Sequence, residues 1–185
     1  MKKSIKNLAF TMILFTFCLV MTLSVSAEIS GDYEYTVLDD GTISITGYTG
    51  SEANLVIPSE IDGMDVTKIG NSAFYQNATV ESVEIPDSIT EIGKLSFYGC
   101  GNLTEATIGE SVAYIGTGAF KECVKLEGIV IPDSVKRIGA EAFYGCSALA
   151  ELSIGESVEI IGWASFRHCS SLTEIVIPDS TKKSL

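Results

Sequence analysis

Residues 123–143 read CVKLEGIVIPDSVKRIGAEAF, and this stretch decides the fold because its pattern recurs along the chain every 23 residues. A fixed period of this length predicts a solenoid, in which each repeat forms one coil and buries its apolar side against the next. Four sets of residues keep the step: Phe74, Phe97, Phe120, Phe143 and Phe166; Gly70, Gly93, Gly116, Gly139 and Gly162; Ile85, Ile108, Ile131, Ile154 and Ile177; and Cys100, Cys123, Cys146 and Cys169.

Each repeat predicts two extended segments and one turn. Residues 126–131 have the spacing L-x-x-L-x-L, and the last two apolar positions alternate with an exposed one, which is the period of a β-strand. Pro132 ends this strand because proline has no amide hydrogen to donate to a sheet. Residues 135–138 predict a second short strand, and residues 139–145 predict a short helical turn. Coils stacked about 4.8 Å apart would then share one core.

The motif of residues 123–143 resembles the repeat of BspA-like bacterial leucine-rich repeat proteins, roughly C-x-x-L-x-x-I-x-I-P-x-S-V-x-x-I-G-x-x-A-F. The resemblance extends from about residue 55 to the end of the chain. It implies an α/β solenoid, mostly β, which is a right-handed coil with parallel strands. It also implies adhesion or protein binding, because this is the role associated with the class.

The residues before the repeats predict an N-terminal β-hairpin cap. Two alternating segments, residues 33–38 and 42–46, flank the turn sequence Asp39-Asp40-Gly41. We therefore divide the chain into a cap, residues 28–56, and a leucine-rich repeat solenoid, residues 57–185. The first repeat carries an insertion around residues 61–64, and the last repeat is incomplete. Its end is either a polar cap or the edge of a fragment.

Residues 1–27 predict a signal peptide. Three lysines precede an uncharged apolar run, and the small residues Val25-Ser26-Ala27 form a cleavage site. Cleavage after Ala27 predicts a secreted or cell-surface protein with no membrane span, and a retained N-terminal anchor is the alternative. The whole chain has a net charge of −12. Cleavage removes three lysines and leaves nine cations against 24 acids, a net charge of −15, which excludes a typical nucleic-acid binder.

The four repeat cysteines admit two interpretations. An even number of cysteines in a secreted protein suggests disulfides, and neighbouring coils are close enough for them. Side chains in register, however, point in parallel rather than towards each other, and Asn77 occupies the same column in the first repeat. The pattern therefore favours buried free thiols. A zinc or iron–sulfur site is not predicted, because a linear column does not converge on one ion.

An acidic column also follows the repeat, and a serine follows each of its members. One interpretation is a row of calcium sites built from hard oxygen ligands. The favoured interpretation is turn chemistry, in which Asp and Ser side chains bond local backbone at the bend. The column consists of Asp87, Glu110, Asp133, Glu156 and Asp179.

The exposed positions of the strands form a broad face of small and β-branched residues with an acidic margin. Such a face could be a platform for an extended partner, or it could reflect β-propensity and solvation alone. Trp163 lies elsewhere in the repeat and is expected to be exposed, because other repeats place mostly polar residues at its position. Packing on the adjacent coil is favoured for its ring, and stacking on a protein or a sugar is the alternative. The candidate partner-binding residues are Glu105, Thr107, Val130, Glu151, Ser153, Glu174, Val176 and Trp163.

No catalytic constellation is recognisable in the sequence. The one histidine, His168, is expected in an exposed loop, and no phosphate-binding loop or inward carboxylate pair is present. We therefore expect no enzymatic activity, no cofactor and no bound metal. The leading hypothesis is a secreted or surface module that binds an extracellular protein or a glycan. The alternative is a non-catalytic binding arm of a larger secreted enzyme or assembly.

Overall fold

A computed structural model describes residues 27–182, and within this range it contains strands and turns but no helix. The signal-peptide prediction lies almost wholly outside the described residues. No segment of residues 27–182 is a helix that could cross a lipid bilayer. The strands are β1 (Glu28–Ser30), β2 (Tyr33–Val37), β3 (Ile43–Tyr48), β4 (Asn54–Val56), β5 (Glu60–Ile61), β6 (Met64–Ile69), β7 (Ser82–Glu84), β8 (Glu91–Ile92), β9 (Glu105–Thr107), β10 (Tyr114–Ile115), β11 (Gly128–Ile131), β12 (Arg137–Ile138), β13 (Glu151–Ile154) and β14 (Ile160–Ile161).

The predicted solenoid is confirmed, because each coil adds one strand to each of two sheets. The first sheet has the order β4-β7-β9-β11-β13, and all of its pairs are parallel. The second sheet has the order β1-β2-β3-β6-β8-β10-β12-β14 and is parallel from β3 onwards. From β7 onwards, partners in neighbouring coils of the first sheet are 23 residues apart, as with Ile129 and Leu152, whereas β4 and β7 are 28 residues apart. The sequence period therefore equals one turn of the coil.

The helical turn expected over residues 139–145 does not form as a helix. The Phe143 amide donates to the carbonyl of Ser165, one coil further on, at 2.8 Å. The Glu141 amide likewise donates to the Trp163 carbonyl at 2.9 Å. Because these amides donate to carbonyls of the next coil, they cannot form the i to i−4 hydrogen bonds that an α-helix needs. The segment is instead a series of tight turns.

An antiparallel hairpin forms at the N-terminal end. β2 pairs with β3, and β3 in turn pairs in parallel with β6 of the first coil. The ring of Tyr48 lies 5.4 Å from that of Phe74, so the hairpin packs against the first phenylalanine of the repeat set. The insertion in the first repeat forms the small antiparallel pair β5–β6. The division between cap and solenoid at residue 57 stays a prediction.

The core contains a ladder of stacked phenylalanine rings. Phe97 and Phe120 have ring centroids 5.1 Å apart and planes 7° from parallel. Phe120 and Phe143 stack in the same way at 5.3 Å, and both rings are buried. Phe166, at the end of the ladder, is only partly buried, because no later ring covers its outer side in the described chain. Each ring thus depends on its two neighbours for burial.

The glycine column is explained by the close approach of consecutive coils. A Cβ atom on Gly116 would lie 2.5 Å from the carbonyl carbon of Gly93, and one on Gly139 would lie 2.5 Å from the Thr117 nitrogen. Real Cβ atoms do not come so close to backbone. Glycine is therefore needed at this column because neighbouring backbones are in contact there.

The last strand expected from the repeat does not form. Residues 174–177 are in phase with β13, yet their backbone has no hydrogen bond to any described residue. Ile177 was expected to point into the core, but Ile175 is 40% exposed and Ile177 is 47% exposed. β13 is therefore the edge strand of its sheet in the described chain.

Candidate partner-binding surface

The outer side of the five-stranded sheet forms an open groove. The groove has a volume of about 1190 Å³ and lies over β9, β11 and β13. Strand alternation creates its floor, because Ile129 is buried while Val130 beside it is 66% exposed. Val176 is 73% exposed and also lines the groove.

The structure brings seven of the eight candidate residues together in this groove. All seven have exposed side chains, as strand alternation predicted, and all seven line the groove. Contact of these residues with a partner stays a prediction. The seven are Glu105, Thr107, Val130, Glu151, Ser153, Glu174 and Val176.

The groove is uniformly acidic. Every charged residue among the described residues that line it is a glutamate. The two ion pairs of the described chain, Lys68–Glu91 and Lys121–Glu141, both lie outside the groove. The groove carboxylates are therefore not neutralised by any residue between 27 and 182. They are those of Glu105, Glu110, Glu127, Glu151 and Glu174.

Trp163 lies apart from the other candidates. It follows Gly162 on the turn after β14 and does not line the groove. Its side chain is 61% exposed, as the polar residues at equivalent positions predicted, and the adjacent coil covers only a minor part of it. The backbone carbonyl of Trp163 is used between coils, where it accepts the Glu141 amide. The exposed ring remains available for contact with a partner.

The four repeat cysteines are free and buried in the structure, as the sequence favoured. The thiol of Cys123 donates to the carbonyl oxygen of Phe97 at 3.1 Å, and the thiol of Cys146 donates to that of Phe120 at the same distance. Burial raises the pKa of Cys100 to about 12 and that of Cys169 to about 11. The thiols are therefore protonated structural donors, which is a role that the sequence did not reveal.

The acidic column joins coils, and the expectation of local turn bonds was wrong. The Asp87 carboxylate accepts the Glu110 amide at 2.7 Å, and Asp133 accepts the Glu156 amide at 2.7 Å. The partners are 23 residues apart, because stacking places the next bend directly beside each aspartate. The Ser134 hydroxyl also donates to the previous coil. Among residues 27–182, no group of three or more metal-ligating side chains converges.

A mixed aromatic and cationic column runs along one edge of the solenoid. Tyr75 and Tyr98 stack at 4.9 Å, and the Lys121 ammonium lies 4.7 Å from the centre of the Tyr144 ring. His168, exposed as expected, meets the same Tyr144 ring edge-on. The Lys121 contact to Tyr144 joins unlike residues of neighbouring repeats, so the repeat pattern could not predict it.

Stacked 23-residue coils with parallel strands, a buried phenylalanine ladder and an open strand face define a leucine-rich repeat solenoid. The sequence model of the BspA type leucine rich repeat region matches six copies over residues 67–184. The chain therefore belongs to the BspA-type leucine-rich repeat family. No match is found among curated proteins.

Solved structures of bacterial leucine-rich repeat proteins share the fold. The T. pallidum leucine-rich repeat protein is 34% identical with a TM-score of 0.75, and the match covers 80% of this chain and 69% of that one. A leucine-rich cell surface protein from Faecalibacterium prausnitzii is 30% identical with a TM-score of 0.64, covering 84% and 49%. A leucine-rich repeat protein from Bacteroides capillosus is 29% identical with a TM-score of 0.61, covering 70% and 98%. The chain spans about half the length of the F. prausnitzii protein.

Proposed function

We propose that this chain is a non-catalytic module, secreted or displayed on the cell surface, that binds an extracellular protein through the strand-face groove. The observation that carries the proposal is the groove itself. Val130 and Val176 are among the most exposed apolar side chains of the described chain, and both lie in the groove. Exposed apolar residues gathered in a concave surface are typical of interaction sites.

The extracellular location is supported by two observations. The first 27 residues have the composition of a secretory signal peptide. The F. prausnitzii relative is described as a cell surface protein, and it is 30% identical to this chain. Adhesion is the role that best fits a surface module of this kind.

The second candidate function is a binding arm of a larger extracellular assembly. It is favoured by the lengths of the relatives, because the match covers only 49% of the F. prausnitzii protein. The groove would serve the same purpose in such an arm, so both candidates share one binding surface.

The proposal is tested by site-specific photo-crosslinking. A photoreactive amino acid placed at Val130 should crosslink a protein from the extracellular medium of the native host, and one placed at the exposed Ile29 should not. The double variant Val130→Lys/Val176→Lys should lose binding of the identified protein while its melting temperature stays unchanged, since neither side chain is in the core. Persistent binding in this variant, together with loss of binding in Trp163→Ala, would place the site on the other side of the coil.

A further inference from the structure

The floor of the groove contains a gap at Gly128, which has no side chain. The backbone does not require a glycine at this position. Gly128 is in register with Glu105 on one side and with Glu151 on the other. A Cβ atom at this position would meet its nearest neighbour, the Glu151 Cβ, at an ordinary 3.5 Å. A larger residue is therefore compatible with the backbone here, unlike at the close-packed glycine column. The missing side chain leaves a notch bordered by Glu151, whose Oε2 lies 4.0 Å from the Cβ position, and by Glu105 on the neighbouring strand.

The notch is strongly anionic. The backbones of Glu105 and Glu151 are two strand spacings apart, about 10 Å, and Glu127 immediately precedes β11. None of these three carboxylates has a hydrogen bond or an ion pair to a described residue. The side chain of a lysine or arginine is long and thin enough to enter such a gap, and it would meet carboxylates on both sides.

An exposed apolar residue lies beside the notch. Val130 is two residues further along β11, on the same face and about 7 Å away. An extended peptide that runs along the strand has the same spacing between its residues i and i+2. A partner with a basic residue at i and a small apolar residue at i+2 could therefore place the basic side chain in the notch and the apolar side chain on Val130 at the same time.

We propose that the groove recognises an extended cationic peptide segment, with a lysine or arginine side chain seated in the notch at Gly128 and an apolar side chain on Val130. This inference rests on the proposed function of the groove and specifies the chemistry of its partner. Charge complementarity supports it, because the groove contains glutamates and no cation among its described lining residues.

The test measures fluorescence anisotropy of a labelled peptide, three repeats of Thr-Arg-Thr-Val, with the full chain. A matched peptide has glutamine in place of arginine. We expect the arginine peptide to bind more tightly, and its affinity to fall as ionic strength rises. The variants Glu105→Gln/Glu151→Gln and Gly128→Leu should each weaken its binding about tenfold, because one removes the charge and the other fills the notch. Melting curves verify that both variants fold.

A matched control, Glu60→Gln/Glu159→Gln, makes the same change of charge at exposed positions outside the groove and should leave the affinity unchanged. An equal loss in this control would overturn the proposal, since the attraction would then be general. Equal binding of the two peptides would also overturn it. In that case, loss of peptide binding in Val130→Lys would still support the groove as a binding site. Binding that is insensitive to Val130→Lys would contradict the proposed function as well.

Discussion

The Cys123 sulfur lies 3.1 Å from the carbonyl oxygen of Phe97, which belongs to the preceding coil and is 26 residues earlier in the chain. Cys100, Cys146 and Cys169 make the equivalent bond to the phenylalanine carbonyl 26 residues before each of them. Each of these cysteines therefore adds a second donor to a phenylalanine carbonyl that already accepts a backbone amide. A disulfide between neighbouring coils would remove the hydrogen that makes this bond.

The first prediction concerns thiol content and reactivity. Denatured protein without reductant should titrate four thiols from the coils, because these cysteines are free. In the native state at pH 8 they should react slowly with a disulfide reagent, since burial keeps them protonated. Cys169 should react first, because it is the least buried of the four cysteines. Two or fewer titratable thiols would instead indicate bridges between coils.

The second prediction concerns alkaline pH. Burial raises the thiol pKa in the folded state above its value in the unfolded chain, so the folded state retains protons that the unfolded state releases. This contribution to stability is fully present below roughly pH 8.5 and is lost as the pH rises through 11 to 12. Urea unfolding midpoints should therefore fall steadily above about pH 9. A midpoint that stays constant to pH 11 would be inconsistent with buried thiols.

The third prediction tests the close approach of the coils. Gly116→Ala should destabilise the protein by about 2 kcal/mol or more, because its Cβ would lie 2.5 Å from the Gly93 carbonyl carbon. Gly101→Ala is the matched control. A Cβ there has no neighbour nearer than 3.9 Å, so stability should be unchanged or slightly higher. Chemical denaturation of the two variants compares them directly, and equal midpoints would refute the explanation of the glycine column.

The fourth prediction concerns calcium. The Asp87 and Asp133 carboxylates are used by the amides of the next coil, so millimolar calcium should shift the melting temperature by no more than a degree or two relative to chelator. Asp133→Ala should cost about 1 kcal/mol, because the Glu156 amide loses its acceptor. A rise of several degrees with calcium, absent from Asp133→Ala, would show that the column binds the ion.

The fifth prediction compares two members of the phenylalanine ladder. Phe120→Ala should destabilise the fold by about 4 kcal/mol, because this ring is fully buried between two others. Phe166→Ala should cost clearly less, since its ring is only partly buried and stacks on one side. Thermal or urea unfolding separates the two. Equal losses would mean that stacking within the ladder contributes little beyond local packing.

The sequence by itself determined the coil length, the strand face and the inward residues. Alternation along residues 129–131 is a local property of an extended chain, so the exposure of Val130 followed from the pattern once the period was known. The candidate groove residues were predictable for the same reason. The buried position of the cysteines also followed, because every repeat places them in one column with Asn77.

Only the tertiary structure decided how the coils contact each other. Three contacts depend on the distance and offset between coils. Asp133 accepts an amide of the next coil, the Cys123 thiol donates to the Phe97 carbonyl, and the Gly116 backbone lies against that of Gly93. A repeat pattern states that coils stack but contains no information on which atoms then meet. The same reason explains residues 174–177, which have a strand-like sequence and remain unpaired. Pairing of these residues with β13 depends on how the last coil docks on the stack, which the segment's own sequence does not specify.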